Sequence, residues 1–420
     1  MRPAPVPQPE RRASLGLTET HDLRTGSVPW READWELPAS DAFPSAHVDV
    51  AILGCGIVGA IIADRLSEGC RRIAMFDRRP PGCGSTAAST AQVMWAMDVP
   101  MTHLAKTVGE NEAARRWRRV YKAVRTLGER IDELHLENAR QECPTLYLAG
   151  NVLDEAGLSE ESRMHRRHGL PSDFVEAEAV ARRFGIAPRA AIVSQGGFDI
   201  DPVRTCHAML GRARVAGASL IWPIDVVGLH PAEEGIVIET SDGRRCHARD
   251  VILATGYERA TLFLPADFRL HATFAIATPP GTAPLWREDA MIWEAADPYL
   301  YVRTDRLGRI IAGGEDINHA EGHGRDALIG AKAGKIAAKL QALLESGPVT
   351  IERQWAATFG SSPDGLPAIG PAAAIPHVWL AAAFGGNGIT FASLAADMLA
   401  NELGGRADPD RDCFSPYRFG

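Results

Sequence analysis

The chain has 420 residues, 45% of them hydrophobic, and a formal net charge of −8, so it can bury a large core, fits two domains, and carries no basic footprint for nucleic acid. No run of about eighteen apolar residues occurs, which argues against a membrane-spanning helix. The seven cysteines form no CxxC pair, so neither a disulfide framework nor a zinc site is expected, and a reducing cytoplasm is the simplest setting.

Residues 1–46 form an arm ahead of the first strand. Arg11 and Arg12 are followed by no apolar core, so export is not expected. Trp30, Trp35 and Phe43 punctuate this polar stretch and predict that it lies against the body.

The stretch from His47 to Asp77 organises the rest of the chain. An apolar run, Val48 to Leu53, ends in Gly54-x-Gly56-x-x-Gly59, then comes a helical pattern, then a second apolar run from Ile73 to Phe76. Strand, tight turn, helix and strand are the parts of a dinucleotide fingerprint. Gly54 permits the turn, Gly56 lets backbone approach a pyrophosphate at the positive helix end, and Gly59 allows close packing of helix on sheet. Asp77, eighteen residues beyond Gly59, stands where a carboxylate accepts from ribose hydroxyls. Cys55 inside the loop reads as small packing.

After Asp77, Pro80, Pro81, Gly82 and Gly84 break regular structure. The run Ser85, Thr86, Ser89, Thr90 fits either a phosphate or flavin edge at a helix start or an ordinary capped N-terminus. Helical spacing continues from Met101 to Leu136. His165 and His168 are expected at the surface without a metal, and Asp316, His319 and His323 suggest no metal site either. Ala191 to Ser194 is strand-like, and the residues after it read as a turn and then a helix from about Pro202. Asp242-Gly243 predicts a hairpin after Ile236–Thr240. A strand from Val251 to Leu253 runs into Ala254-Thr255-Gly256.

Leu270 to Gly314 is strand-rich. Arg303, two residues after Tyr301, reads either as a bidentate carboxylate anchor or as an edge-strand cation. A helix is predicted over Ala327–Leu344. Pro363-Asp364-Gly365 forms a turn. A strand from Val378 to Ala383 then enters Phe384-Gly385-Gly386-Asn387-Gly388-Ile389-Thr390, a second glycine-rich loop opening a helix.

In this order, the motifs resemble those of the D-amino-acid oxidase and glycine oxidase superfamily of FAD-dependent oxidoreductases, from Val48 to about Gly405. The resemblance implies an α/β, Rossmann-like FAD-binding domain from residues 47–100, 189–268 and 351–420. It also implies an α+β substrate domain with an antiparallel sheet, from 101–188 and 269–350. FAD is then expected on Gly54, Cys55, Gly56, Ile57, Val58 and Gly59, on Asp77 and Arg78, and on Thr86, Ser89 and Thr90. Val226 would meet the adenine side through its backbone, with Thr255 and Gly256 beside it. Gly385, Gly386, Asn387, Gly388, Ile389 and Thr390 would lie over the flavin's pyrimidine end.

The activity implied is oxidation of the C–N bond of a small-molecule amine or amino acid to an imine, by hydride transfer to flavin N5. Arg303 would hold the carboxylate and Tyr301 would orient the substrate. Three positions depart from the family. Ala357 stands where relatives with covalent flavin have cysteine, which implies noncovalent FAD. Thr390 replaces the lysine of sarcosine-oxidising relatives, and Gly386 replaces the arginine of glycine oxidases. No lysine occurs between Lys122 and Lys332, so the electron acceptor is oxygen or another group. Oxidation of a C–O bond, or a flavin-binding partner subunit without turnover of its own, are the alternatives.

Overall fold

The computed structural model describes residues 23–30, 37–45, 47–137, 139–258, 263–318, 322–382 and 385–420. Arg11, Arg12, Trp35, His319, Ala383 and Phe384 lie outside them. The described residues build two sheets.

The strand Val48–Leu53 is the centre of the first sheet, and five of its six residues are buried. Val50 and Ile52 face a helical layer, while Ala51 and Leu53 face a small β-meander. Burial on both faces is why the run shows no polar alternation. It pairs in parallel with Ile73–Phe76 on one side and Arg245–Leu253 on the other. Ser219–Ile221 and Val378–Ala382 extend the parallel flanks, and Ala368–Pro371 closes one edge antiparallel. Between Val48–Leu53 and Arg245–Leu253 the direction of winding reverses, which opens a crevice at the carboxyl ends of the strands. The helices Ile57–Leu66, Pro202–Val215 and Gly388–Leu403 pack on one face. Val226–Ala232, Gly235–Thr240 and the start of Arg245–Leu253 form the meander on the other. Its second turn lies at Asp242-Gly243, where Gly243 has φ +81°.

The second sheet has ten strands and is mostly antiparallel. Arg269–Ala277, Ile310–Ile317, Leu300–Thr304 and Met291–Glu294 are its middle. The helix Ile329–Leu344 covers its outer face, burying Ile336 and Leu340 with Phe274, Ile292 and Val302. Side chains alternate along strands, so Thr273, Trp293 and Tyr301 line the cleft on the inner face.

Several expectations change. The helix expected over Met101–Leu136 is two, Met101–Val108 and Glu110–Asp132, because Gly109 at φ +86° ends the first and starts the second. The turn expected after Ser194 is absent. One strand runs Ala191–Ile200, absorbing Gly196 at φ +88° beside a register shift in its partner Arg140–Leu148. The sheets also divide the chain differently from the expected domain segments. Gln92–Val93, Ala191–Ile200 and Arg353–Ser361 pair in the antiparallel sheet, since pairing partners far along the chain decide membership. The arm joins that sheet as well. Arg24–Gly26 pairs with Trp355–Ala357, and the Trp30 indole donates to the Ser89 carbonyl at 2.7 Å.

Candidate cofactor and substrate cleft

A long cleft runs from the carboxyl ends of the parallel strands to the inner face of the antiparallel sheet. At its first end lies the glycine loop. A Cβ on Gly54, which has φ +112°, would overlap the Ala254 carbonyl, and one on Gly59 would overlap the Gly54 carbonyl. Both glycines are therefore required by close backbone approach. The Cys55 N–H donates to Asp77 Oδ2 at 2.7 Å and the Arg79 N–H donates to Asp77 Oδ1 at 2.9 Å. Burial pushes the Asp77 carboxyl above its ordinary range against those two bonds. Arg78 and Arg79 both pair with the buried Glu258, just past the Ala254-Thr255-Gly256 turn.

The run Ser85–Ala88 is a single helical turn. Thr86 Oγ1 accepts from the Ile57 N–H at 2.9 Å and so crosses to the first helix's N-terminus. Opposite stands the N-terminus of Gly388–Leu403. Asn387 there makes no cap bond to its own helix; its side-chain amide donates to the Ala96 carbonyl instead. The Gly386 N–H donates to Asp98 Oδ2 at 2.7 Å. Asp98 is exposed and lines the cleft, and desolvation by the surrounding protein raises its carboxyl above the ordinary range, opposed by the Gly386 N–H.

The far end is aromatic. Tyr257, Trp293, Tyr299, Tyr301 and Phe359 line it. Trp293 stacks on Tyr147 with ring centroids 3.8 Å apart, and Tyr299 and Tyr301 lie 5.8 Å apart. Burial lifts the Tyr257 and Tyr301 phenols to about 12, so both remain protonated at neutral pH.

Of the residues expected at the cofactor, Gly54, Gly56, Ile57, Val58, Asp77, Arg78, Thr86, Ser89, Thr90, Val226, Thr255, Gly256, Gly385, Gly386, Asn387, Gly388 and Ile389 line the cleft, as does Tyr301. Cys55, Gly59 and Thr390 sit one layer behind. Cys55 is buried, with its thiol pushed well up by burial, Gly59 packs on Gly54, and Thr390 donates to the Met94 carbonyl at 3.0 Å.

Arg303 does not line the cleft, which corrects its expected role as a carboxylate anchor. It is 1% exposed, and its guanidinium donates to the Thr90, Thr304 and Ile200 carbonyls at 2.6, 3.0 and 2.8 Å. It also lies over the Trp30 ring. His165 is corrected too: it is buried, with Nε2 3.0 Å from Glu161 Oε1 and Nδ1 3.2 Å from Ser172 Oγ. Glu161 accepts the Met101 and Thr102 N–H groups at 2.6 and 2.8 Å, so this sealed trio ties two helices together. No group of three His, Cys, Asp or Glu among the described residues is placed to hold a metal.

Sequence reasoning missed Asp98, Glu258, Trp293 and Tyr299. Tyr299 lay two residues from Tyr301 and could have been found by strand alternation; the others carry no local signal.

The family model for FAD dependent oxidoreductases, DAO, matches residues 49–402. The chain belongs to this FAD-dependent oxidoreductase family. It is 26% identical over 440 residues to the tRNA 5-methylaminomethyl-2-thiouridine biosynthesis bifunctional protein MnmC of Ralstonia nicotianae, covering 94% of this chain but only 63% of that protein. It is 23% identical to a glycine oxidase of Bacillus licheniformis, covering 84% of this chain and 92% of that one. The solved L-proline dehydrogenase of P. horikoshii has a similar fold, with a TM-score of 0.74 at 19% identity over 89% of this chain and 98% of that one.

The cleft fits the family's cofactor. Two helix N-termini, at Gly56 and Asn387, face it without a side-chain cap bond from the cap residue and without acidic residues in their first turns, the arrangement that accepts a negative group. A Cβ added to Gly84 or Gly256 on its wall would meet nothing within 4 Å, so both positions open onto the cleft.

Proposed function

We propose that this chain oxidises the C–N bond of an amine or amino acid to an imine, with FAD held noncovalently. The observation that carries the reading is the make-up of the far wall. It is aromatic and, among the described lining residues, contains no histidine, and its one carboxylate, Asp98, is engaged by the Gly386 N–H. Removing a hydride from carbon next to a neutral amine needs little acid–base help, whereas oxidising an alcohol calls for a base at the hydroxyl. FAD, when bound, supplies the hydride acceptor.

The chain's own residues do the rest. The loop at Gly54–Gly59 would receive the pyrophosphate and Asp77 the ribose. The Val226 backbone would meet the adenine. The helix starting at Gly388 would stabilise negative charge at the pyrimidine end. Tyr301 and Trp293 would exclude water and orient the substrate. Neither cysteine nor histidine occurs among the described lining residues, and Ala357 lines the wall where covalent relatives attach flavin, which supports noncovalent binding. The free cysteines suit a reducing cytoplasm. No helix among the described residues is long and apolar enough to cross a membrane.

C–O oxidation of a phosphorylated substrate is disfavoured, because the only cations among the described lining residues, Arg78 and Arg79, are paired with Glu258. An RNA substrate is disfavoured by the charge of −8. The test is anaerobic mixing of the purified flavoprotein with amines, amino acids and alcohols. Bleaching of the visible flavin band by amines is expected. Bleaching by alcohols alone would contradict the reading, and bleaching by nothing would favour a partner subunit without turnover.

A further inference from the structure

The charge of the cleft is uneven. Its described cations, Arg78 and Arg79, stand at the Asp77 end and are paired with Glu258. At the aromatic end the only charged lining side chain among the described residues is Asp98. A second carboxylate, Asp316, lies behind the wall, close enough to Asp98, Tyr299 and Tyr301 to feel or impose charge on each. Its Oδ1 is buried without a hydrogen-bond partner, as is Nε1 of Trp293, which lines the chamber and is 9% exposed. Arg303, the one cation on the Tyr301 strand, is turned away to backbone carbonyls and Asp199.

We propose that this chamber selects a cationic amine without a carboxylate beside the C–N bond: an alkyl-, cyclic or N-methyl-ammonium group. The proposal rests on the amine-oxidation reading and narrows its substrate class: the bound ammonium gives one N–H proton to the Asp98 carboxylate, and hydride then leaves the carbon beside the neutral amine. Ammonium groups are drawn to aromatic faces and to carboxylates, and Tyr257, Trp293, Tyr299 and Phe359 line the same cleft as Asp98, with Tyr257 and Tyr299 close enough to feel its charge. An α-carboxylate placed there would be desolvated beside a like charge with no described cation to pair it, which works against amino acids. Asp98 is itself held by the Gly386 N–H at 2.7 Å, so its charge is fixed over the chamber rather than free to swing out.

The test uses the FAD-loaded full chain and matched pairs: pyrrolidine against proline, and N-methylethylamine against sarcosine. It also uses two unreactive probes, tetramethylammonium and acetate, read by perturbation of the flavin visible spectrum. The amine of each pair should bleach the flavin at a concentration lower by about tenfold or more, and tetramethylammonium should bind in preference to acetate. Asp98→Asn keeps an oxygen for the Gly386 N–H and should weaken tetramethylammonium about tenfold while leaving acetate no weaker. Asp316→Asn supplies the same comparison should Asp98→Asn fail to retain flavin. Preference for the amino acid in both pairs would overturn the proposal, as would tetramethylammonium binding unchanged in both Asn variants. If no pair bleaches the flavin, the amine-oxidation reading fails by itself, and the two probes still decide the charge preference of the chamber.

Discussion

Arg303 Nη1 lies 3.2 Å from Asp199 Oδ1, and both side chains are sealed from solvent. The guanidinium also joins three separate backbone segments, at Thr90, Ile200 and Thr304. Burial nevertheless raises the Asp199 carboxyl above its ordinary range, outweighing the Arg303 charge. The pair therefore clamps the cleft wall to the antiparallel sheet and is not free to meet a substrate.

Arg303→Ala should cost about 3–5 kcal/mol of stability, because it strands a buried carboxylate and several carbonyls. Thermal denaturation checks this. The folded fraction should keep a KM within about threefold of the parent, since no substrate contact is lost. A large rise in KM with unchanged melting temperature would restore the anchoring role.

Gly59→Ala should abolish flavin retention, because its Cβ would collide with the Gly54 carbonyl and push the loop into the space the pyrophosphate needs. Gly109→Ala is the control. No atom stands within 4 Å of a Cβ there, although its φ of +86° with ψ of 153° costs alanine about 1–3 kcal/mol. The absorbance ratio of flavin to protein after purification separates them: the control should remain yellow and Gly59→Ala colourless.

Acid precipitation should release the flavin entirely into the supernatant, since Ala357 provides no sulfur at the wall. Yellow colour retained in the washed pellet would show a covalent bond.

Much of the first half of the cleft was legible in the chain. Gly54, Gly56, Gly59 and Asp77 act within one short crossover, so local spacing carries their geometry. The turn at Asp242-Gly243 and the helix after Asn387 were legible for the same reason. The substrate end was not. Asp98 meets Gly386 from 288 residues away, and Glu258 meets Arg79 from 179 residues away. Arg303 misled because a strand's sequence shows alternation but not which face becomes the wall. Tyr301 and Arg303 share the same parity, yet the Arg303 side chain turns into the seam between the wall and Ile200. His165 misled in a similar way, its partners Glu161 and Ser172 being ordinary polar residues until the helix docks.

The Asp316 carboxyl is raised to about 6. Burial is the main cause, the charges of Asp98 and Asp297 add to it, and the hydroxyls of Thr273 and Tyr299 oppose it. The folded state thus binds a proton that the unfolded chain has released above its ordinary value of 3.8, and this contribution is lost as pH rises from about 4 through about 6. Asp316→Asn should remove that slope, at most about 1.4 kcal/mol per pH unit. Melting curves between pH 4.5 and 7.5 should show the variant gaining on the parent as pH rises. A parallel pair of curves would contradict the assignment.

The central claim is that the bond broken is C–N, and the most direct measurement is a single anaerobic turnover. The FAD-loaded chain is mixed with limiting N-methylethylamine and the quenched solution assayed for released primary amine and for aldehyde. Equimolar amine, aldehyde and bleached flavin are the predicted result. Flavin bleached without any release of amine, or left fully oxidised by every amine while an alcohol reduces it, would contradict the account.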